Sequence, residues 1–322
     1  MSLLLLWFKF IVILFLIYFS GEKLSHYGNR LSSRLGIAEG LIGVTIISAV
    51  TSLPELFTGI SAVNIVKDNN MLFGEILGSC IFNLTIVSIM SFSLKRANLF
   101  RIISEKFKRT SILSGLLLFS VAFFLKVELP SLGFIGLPSL FIILFYFGIL
   151  KVIYKKEFSP EDDNEKSNES LSNIIVKFSL ASVIIILSGL YLPVLAKKIA
   201  IEMSWSSTFM GLLFIAMVTS LPELVVSYAA AKAGFYGIAI GNIFGSIIFN
   251  ILIFSIVDFV SIKQTIWNIE SWSNFWTAII VGLISIFAAF SGKITKSRLS
   301  QIVVSILIIA LYIFVLYLSF YL

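Results

Sequence analysis

Glu55 and Glu223 each close the pentapeptide Thr-Ser-Leu-Pro-Glu, within a hexapeptide that stands at residues 51–56 and recurs letter for letter at 219–224. Both copies fall inside long apolar runs, and an acid in such a run marks function by default. Pro54 removes a backbone donor and clashes with the carbonyl four residues earlier, so it opens its helix and frees carbonyls near Val50 and Thr51. In hydrocarbon a freed carbonyl must be satisfied by protein, water or an ion. Thr51 lies four residues before Glu55, on the same helical face, and Ser52 adds another oxygen.

A second block follows each copy. Residues 74–83 (Gly-Glu-Ile-Leu-Gly-Ser-Cys-Ile-Phe-Asn) match residues 241–250 (Gly-Asn-Ile-Phe-Gly-Ser-Ile-Ile-Phe-Asn) at seven of ten positions. Ser79 and Asn83 are four apart, which sets a hydroxyl and an amide oxygen on one face, while Gly74 and Gly78 permit close helix approach. Thr219, Ser220, Glu223, Ser246 and Asn250 repeat the set. Two half-sites result, offering only oxygen ligands and two formal negative charges. Hard cations suit them: Ca²⁺ takes 6–8 oxygens in flexible geometry, whereas Mg²⁺ demands tight octahedra. Two carboxylates neutralise one Ca²⁺ or are shared by Na⁺ ions. Bare, they cost roughly 2.5–3.5 kcal/mol each at mid-membrane, so one ion type must replace the other.

The elements that position these residues are membrane spans. Of 322 residues, 58% are apolar and 13% charged, with a mean hydropathy of +1.04; soluble domains average about 45–50% and about 25%. Apolar runs predict ten helices, near 3–20, 37–66, 71–94, 110–126, 132–150, 174–196, 207–231, 236–260, 275–291 and 300–321. The two blocks repeat at offsets of 168 and 167 residues, a distance of five helices. An odd number turns the second copy upside down. The expected fold is therefore all-α integral membrane, ten transmembrane helices in two inverted-topology five-helix repeats, with a substrate site at the midplane. The halves are 1–152, with a first repeat at about 37–94, and 174–322, with a second at about 207–260. Residues 153–173, which include Glu161, Asp162, Asp163 and Glu165, form a cytoplasmic linker without EF-hand spacing.

With the first helix starting outside, 17 of the 24 Lys and Arg residues fall in inward loops and five in outward ones. That bias places both termini outside a cell membrane. The net charge of +7 is thereby assigned to cytoplasmic loops and not to nucleic acid. One cysteine, Cys80, permits no internal disulfide, and one histidine, His26, read as a solvated loop residue, builds no zinc site. No Ser-His or metal-His constellation supports an enzyme. Glu75 and Asp258 are expected near span ends, reaching headgroups or water. All five tryptophans are expected near the outer face as interfacial anchors.

Thr-Ser-Leu-Pro-Glu in each half, followed by Gly-x-x-x-Gly-Ser-x-x-x-Asn, resembles the alpha repeats of the cation/calcium antiporter superfamily, closest to prokaryotic sodium/calcium exchangers. The resemblance implies Ca²⁺ moved against Na⁺, four central cation sites, no cofactor, and function as a monomer in a lipid bilayer. It implies Glu55 and Glu223 as the shared acids, with Thr51, Ser52, Thr219 and Ser220 adding oxygens. Ser79 and Ser246 would line Na⁺ sites, Asn83 and Asn250 the middle, and the carbonyls of Ser48 and Ala216 would match backbone ligands. Three departures stand out. Val50 and Val218 replace a usual glycine, Glu75 a usual asparagine, and Asn250 an aspartate found in several relatives, which argues against K⁺ co-transport. Proton-coupled cation exchange through the same two glutamates is the alternative.

Overall fold

The computed structural model describes residues 3–321 apart from 95–96, 128, 133–134, 157–168, 204–215, 262–264 and 268–271. Helices α1 (Leu3–Leu35) and α2 (Glu39–Ile42) come first, followed by α3 (Ser48–Thr51), α4 (Leu53–Ser61) and α5 (Asn69–Ser93). Then come α6 (Leu99–Lys106), α7 (Lys108–Phe124), a small antiparallel hairpin of β1 (Ser131–Leu132) and β2 (Ile135–Gly136), and α8 (Leu137–Lys156). The remainder is α9 (Leu171–Glu202), α10 (Ala216–Thr219), α11 (Leu221–Lys232), α12 (Tyr236–Val260), α13 (Trp272–Ala288) and α14 (Arg298–Tyr321). Segments of π-helix at Gly43–Ile47 and Ala62–Val66 join α2 through α4 into one broken span, Glu39–Val66.

Among the described residues, seven helices are long and apolar enough to cross a membrane, and an eighth appears if α6 and α7, bent by 86°, count as one. The expected seventh span falls partly on 204–215, outside the described residues, and α13, with 17 residues, is a shorter apolar helix. Helices α5 and α12 occupy the centre, buried nearly all round. Large apolar side chains stay exposed on α1, α8, α9 and α14, among them Phe8, Leu144, Leu187 and Leu307, the pattern of helices that face hydrocarbon.

Backbone contact sets how closely the centre packs. A Cβ on Gly241 would lie 2.6 Å from the Gly40 carbonyl oxygen, and one on Gly245 would lie 2.5 Å from that of Val44. The broken span Glu39–Val66 can therefore lie directly on α12. Cys80 of α5 meets the carbonyl of Ile247 of α12 at 3.9 Å, and these two positions are equivalent by the 167-residue offset. The two central helices thus cross at matching points.

Four sequence expectations need correction. The first helix does not stop near residue 20; it runs to Leu35 and ends at Gly36, whose φ of +66° suits a glycine past a helix end. Its second half buries Gly21, Leu24, Ser25, Gly28, Leu31 and Ser32, a helical stripe of mostly small residues with little hydropathy signal. His26 is accordingly on a helix, exposed, with its ring centroid 5.1 Å from that of Phe235 in an edge-to-face arrangement. Trp267 is no interfacial anchor, because it is buried among Phe73, Phe124 and Phe254 and donates Nε1–H to Ser139 at 2.8 Å. Trp272 and Trp276 are exposed, Trp7 is half-buried, and Trp205 lies outside the described residues.

Asp258 and Glu75 do not reach water either. Asp258 is fully buried and accepts from Gly136 N at 2.8 Å, Ser139 Oγ at 2.6 Å, Thr265 Oγ1 at 2.9 Å and Ile266 N at 2.8 Å. Those four donors explain how a carboxylate survives there: it pins the hairpin and the 265–267 segment to α12. Glu75 is 3% exposed and accepts from Thr58 of α4. Both side chains point inward because their helices are enclosed, so distance from a span end says little about exposure.

Candidate functional site

Each Thr-Ser-Leu-Pro-Glu segment breaks its helix at the serine. Ser52 ends α3 and precedes α4 with φ −91° and ψ 8°, and Ser220 stands between α10 and α11 with φ −88° and ψ 8°. The proline then occupies the first turn of the new helix, where no N–H is needed. The glutamate follows in that same first turn. A helix N-terminus carries partial positive charge, so α4 supports the Glu55 carboxylate and α11 that of Glu223. Gly189 of α9 completes the packing, since a Cβ there would lie 2.6 Å from Pro54 Cγ and 3.6 Å from Pro222 Cγ.

The two Thr-Ser-Leu-Pro-Glu segments exchange hydrogen bonds. Ser52 Oγ donates to Glu223 Oε1 at 2.8 Å, and Ser220 Oγ donates to Glu55 Oε1 at 2.9 Å. Ser246 Oγ is 3.4 Å from Glu223 Oε1 and 3.5 Å from Thr51 Oγ1. All these side chains are fully buried. Each carboxylate is tied by one oxygen, while Glu55 Oε2 and Glu223 Oε2 have no hydrogen-bond partner among the described residues.

The same holds for Ser79 Oγ and for both amide atoms of Asn83 and of Asn250, although all three residues are fully buried. An unmet buried polar atom costs about 1–3 kcal/mol. Several such oxygens around two carboxylates form a set of donors suited to a dehydrated hard cation. Ser48 is buried one turn before the break, and its carbonyl accepts from Ser52 N at 3.0 Å and Thr51 Oγ1 at 3.2 Å. Thr219 is buried, and Ala216 opens α10. Among the described residues no cluster of three or more His, Cys, Asp or Glu side chains exists that could hold a metal. The donors here are instead two acids with hydroxyls and amides.

Two participants escaped the sequence reading. Asn242 Oδ1 accepts from Thr51 Oγ1 at 3.1 Å, and Asn242 Nδ2 donates to Ser227 Oγ at 2.9 Å. The signal for Asn242 was its place four residues before Ser246 on one face of α12. Ser227 gave none, because a small hydroxyl within Ala-rich α11 resembles packing.

Comparison with known proteins agrees with this architecture. A family model described as "Sodium/calcium exchanger protein" matches residues 5–155 and 173–321. The chain is 30% identical over 243 residues to "Uncharacterized membrane protein MJ0091" of Methanocaldococcus jannaschii, a match covering 74% of this chain and 76% of that one. It is 23% identical to "Sodium/calcium exchanger MaX1" of Methanosarcina acetivorans, covering 70% and 74%. A solved structure of the sodium-calcium exchanger NCX_Mj, soaked with 10 mM Na⁺ and zero Ca²⁺, superposes with a TM-score of 0.74 at 24% identity, over 97% of this chain and 98% of that one. That likeness establishes a shared fold.

Proposed function

This chain belongs to the sodium/calcium exchanger protein family, within the cation/calcium antiporter superfamily, and on that premise we propose that it exchanges Ca²⁺ for Na⁺ by alternating access at the Glu55–Glu223 site. The reciprocal bonds Ser52–Glu223 and Ser220–Glu55 carry this reading. They hold one oxygen of each acid and leave the other open to an ion. Two carboxylates balance one Ca²⁺, and the same charge shared by Na⁺ ions explains why one occupant must leave before the other binds. Thr51, Ser79, Asn83, Ser246 and Asn250 supply neutral oxygens, and Ser48, Ser52, Ala216, Thr219 and Ser220 supply carbonyl or hydroxyl oxygens at the two breaks.

In this proposal ten spans form two inverted halves, 1–152 and 174–322, joined by a cytoplasmic linker, with both termini outside the cell membrane and the monomer as functional unit. Support comes from the equivalent breaks at Ser52 and Ser220 and the crossing of Cys80 with Ile247. Helices α1 and α9 form the moving pair. Leu6, Phe10, Ile13 and Ile17 of α1 pack with Leu192, Leu195 and Ile199 of α9 in an apolar cluster separate from the main core. Further along, Leu24 and Leu31 of α1 and Ile174, Phe178, Ala181 and Ile185 of α9 join the main core, so a shift of the pair repacks that boundary while its own cluster stays together.

The test is ⁴⁵Ca²⁺ uptake into vesicles at clamped voltage, driven by a Na⁺ gradient or by a pH gradient. Na⁺-driven uptake that Glu55→Gln or Glu223→Gln abolishes is expected, since an amide cannot offset a dehydrated divalent charge. Uptake that follows pH and ignores Na⁺ would establish proton coupling instead.

A further inference from the structure

Resting on the exchange reading, we propose that Glu75 holds one additional monovalent cation, Na⁺ in size and charge, one helical turn from Glu55 on the side of the Lys67–Asp68 turn. The broken span Glu39–Val66 and α5 are antiparallel neighbours joined by that turn, so a step forward along α4 faces a step back along α5. Thr58 of α4 donates to Glu75 of α5. Glu55 lies three residues before Thr58 and Ser79 four after Glu75, which places Glu55 opposite Ser79 on the next rung. The second half has the same rung, with Ser246 3.4 Å from Glu223.

The outer rung differs between halves. Position 242, equivalent to 75, carries a neutral asparagine whose amide is used at both ends, by Thr51 and by Ser227. Glu75 carries an acid in its place. Its residue is 3% exposed, and Oε2 has no partner among the described residues. Ser79 Oγ, on the same face of α5, is also unpartnered and buried. An open carboxylate oxygen and an open hydroxyl therefore share one face beside the Thr58 hydroxyl, which lies within 2.9 Å of the Pro54 carbonyl and 3.1 Å of the Glu55 carbonyl.

One formal charge fits a monovalent ion. A divalent ion there would keep an uncompensated charge in a low-dielectric interior. The asymmetry between Glu75 and Asn242 then gives the two access routes different ion affinities, with cations held next to Glu55 on one side only.

Equilibrium binding of ²²Na⁺ and ⁴⁵Ca²⁺ to the purified full-length protein tests this. Glu75→Gln keeps shape and an acceptor for Thr58, and Glu75→Asn installs the residue of the other half. Both are expected to bind one Na⁺ fewer per protein at saturation while Ca²⁺ binding persists, in contrast to Glu55→Gln, which loses Ca²⁺. Unchanged Na⁺ equivalents and half-saturation in both variants, with Na⁺-driven ⁴⁵Ca²⁺ flux intact, would overturn the Glu75 site alone. A Glu75→Gln protein that keeps all its Na⁺ but releases one proton fewer per turnover would overturn it too, in favour of a protonated side chain. Loss of Na⁺-driven flux in the wild type would instead overturn the exchange reading.

Discussion

Ser52 and Glu223 lie 171 residues apart in the chain yet share a 2.8 Å hydrogen bond, fully buried. With Ser220 donating to Glu55 at 2.9 Å, each Thr-Ser-Leu-Pro-Glu segment thus orients the acid of the other. A bond to a charged group contributes about 1.5–3 kcal/mol, so Ser52→Ala is expected to weaken Ca²⁺ binding roughly tenfold or more. In a double-mutant cycle read by thermal stability in detergent, which needs no bound ion, it should couple to Glu223→Gln and remain additive with Glu55→Gln. Equal coupling to both acids would remove the crossed pairing.

Asn250 is fully buried with neither amide atom partnered. Asn250→Asp adds a third charge to the central set, and tighter cation binding or an altered Na⁺ dependence is expected in flux assays. Identical ion dependence would place the side chain outside the site.

Gly245 and Gly148 should respond oppositely to alanine. A Cβ at Gly245 meets the Val44 carbonyl at 2.5 Å and Ser48 Oγ at 2.7 Å, whereas one at Gly148 meets nothing within 4 Å. Gly245→Ala must push the broken span off α12 and is expected to cost about 1–3 kcal/mol. Gly148→Ala, in exposed α8, should leave stability level or raise it by up to about 1 kcal/mol. Thermal melts in detergent separate the two.

Asp258 accepts four hydrogen bonds, two on each oxygen, and in Asp258→Asn one of those oxygens becomes a donor facing two donors. A loss of about 2–3 kcal/mol of stability is expected. Ion dependence should stay as in the wild type, since the residue pins the hairpin and does not line the central site. A shifted Na⁺ or Ca²⁺ half-saturation in the folded variant would contradict that structural role.

Glu169, just ahead of α9, joins two helices. Lys177 of α9, which donates to it, and Arg30 of α1, 2.6 Å away, hold its carboxyl below the usual carboxylate range. A depressed value means the pairing stabilises the fold above the ordinary carboxylate range and is lost as pH falls through the lowered one. Wild type and Glu169→Gln should therefore differ in melting near neutrality and converge in acid. A gap that widens on acidification would contradict the sign.

The duplicated Thr-Ser-Leu-Pro-Glu and Gly-x-x-x-Gly-Ser-x-x-x-Asn blocks were enough, as sequence, to locate the helix breaks, to single out two acids that the structure buries beside them, and to point to the family. Matching letters at offsets of 168 and 167 record a repeat that needs no coordinates to see. Spans with strong apolar runs, such as α5 and α12, were placed within a few residues for the same reason: hydrocarbon imposes length and composition directly. Where small residues carry the contact, hydropathy is silent, which is why the lower half of α1 read as a loop. Which serine reaches which glutamate, the closure of Asn242 on Ser227, and the enclosure of Glu75 and Asp258 were decided by tertiary structure alone. Those facts depend on how the two Thr-Ser-Leu-Pro-Glu segments and helices α5 and α12 pack together, and sequence records each segment without the distance between them.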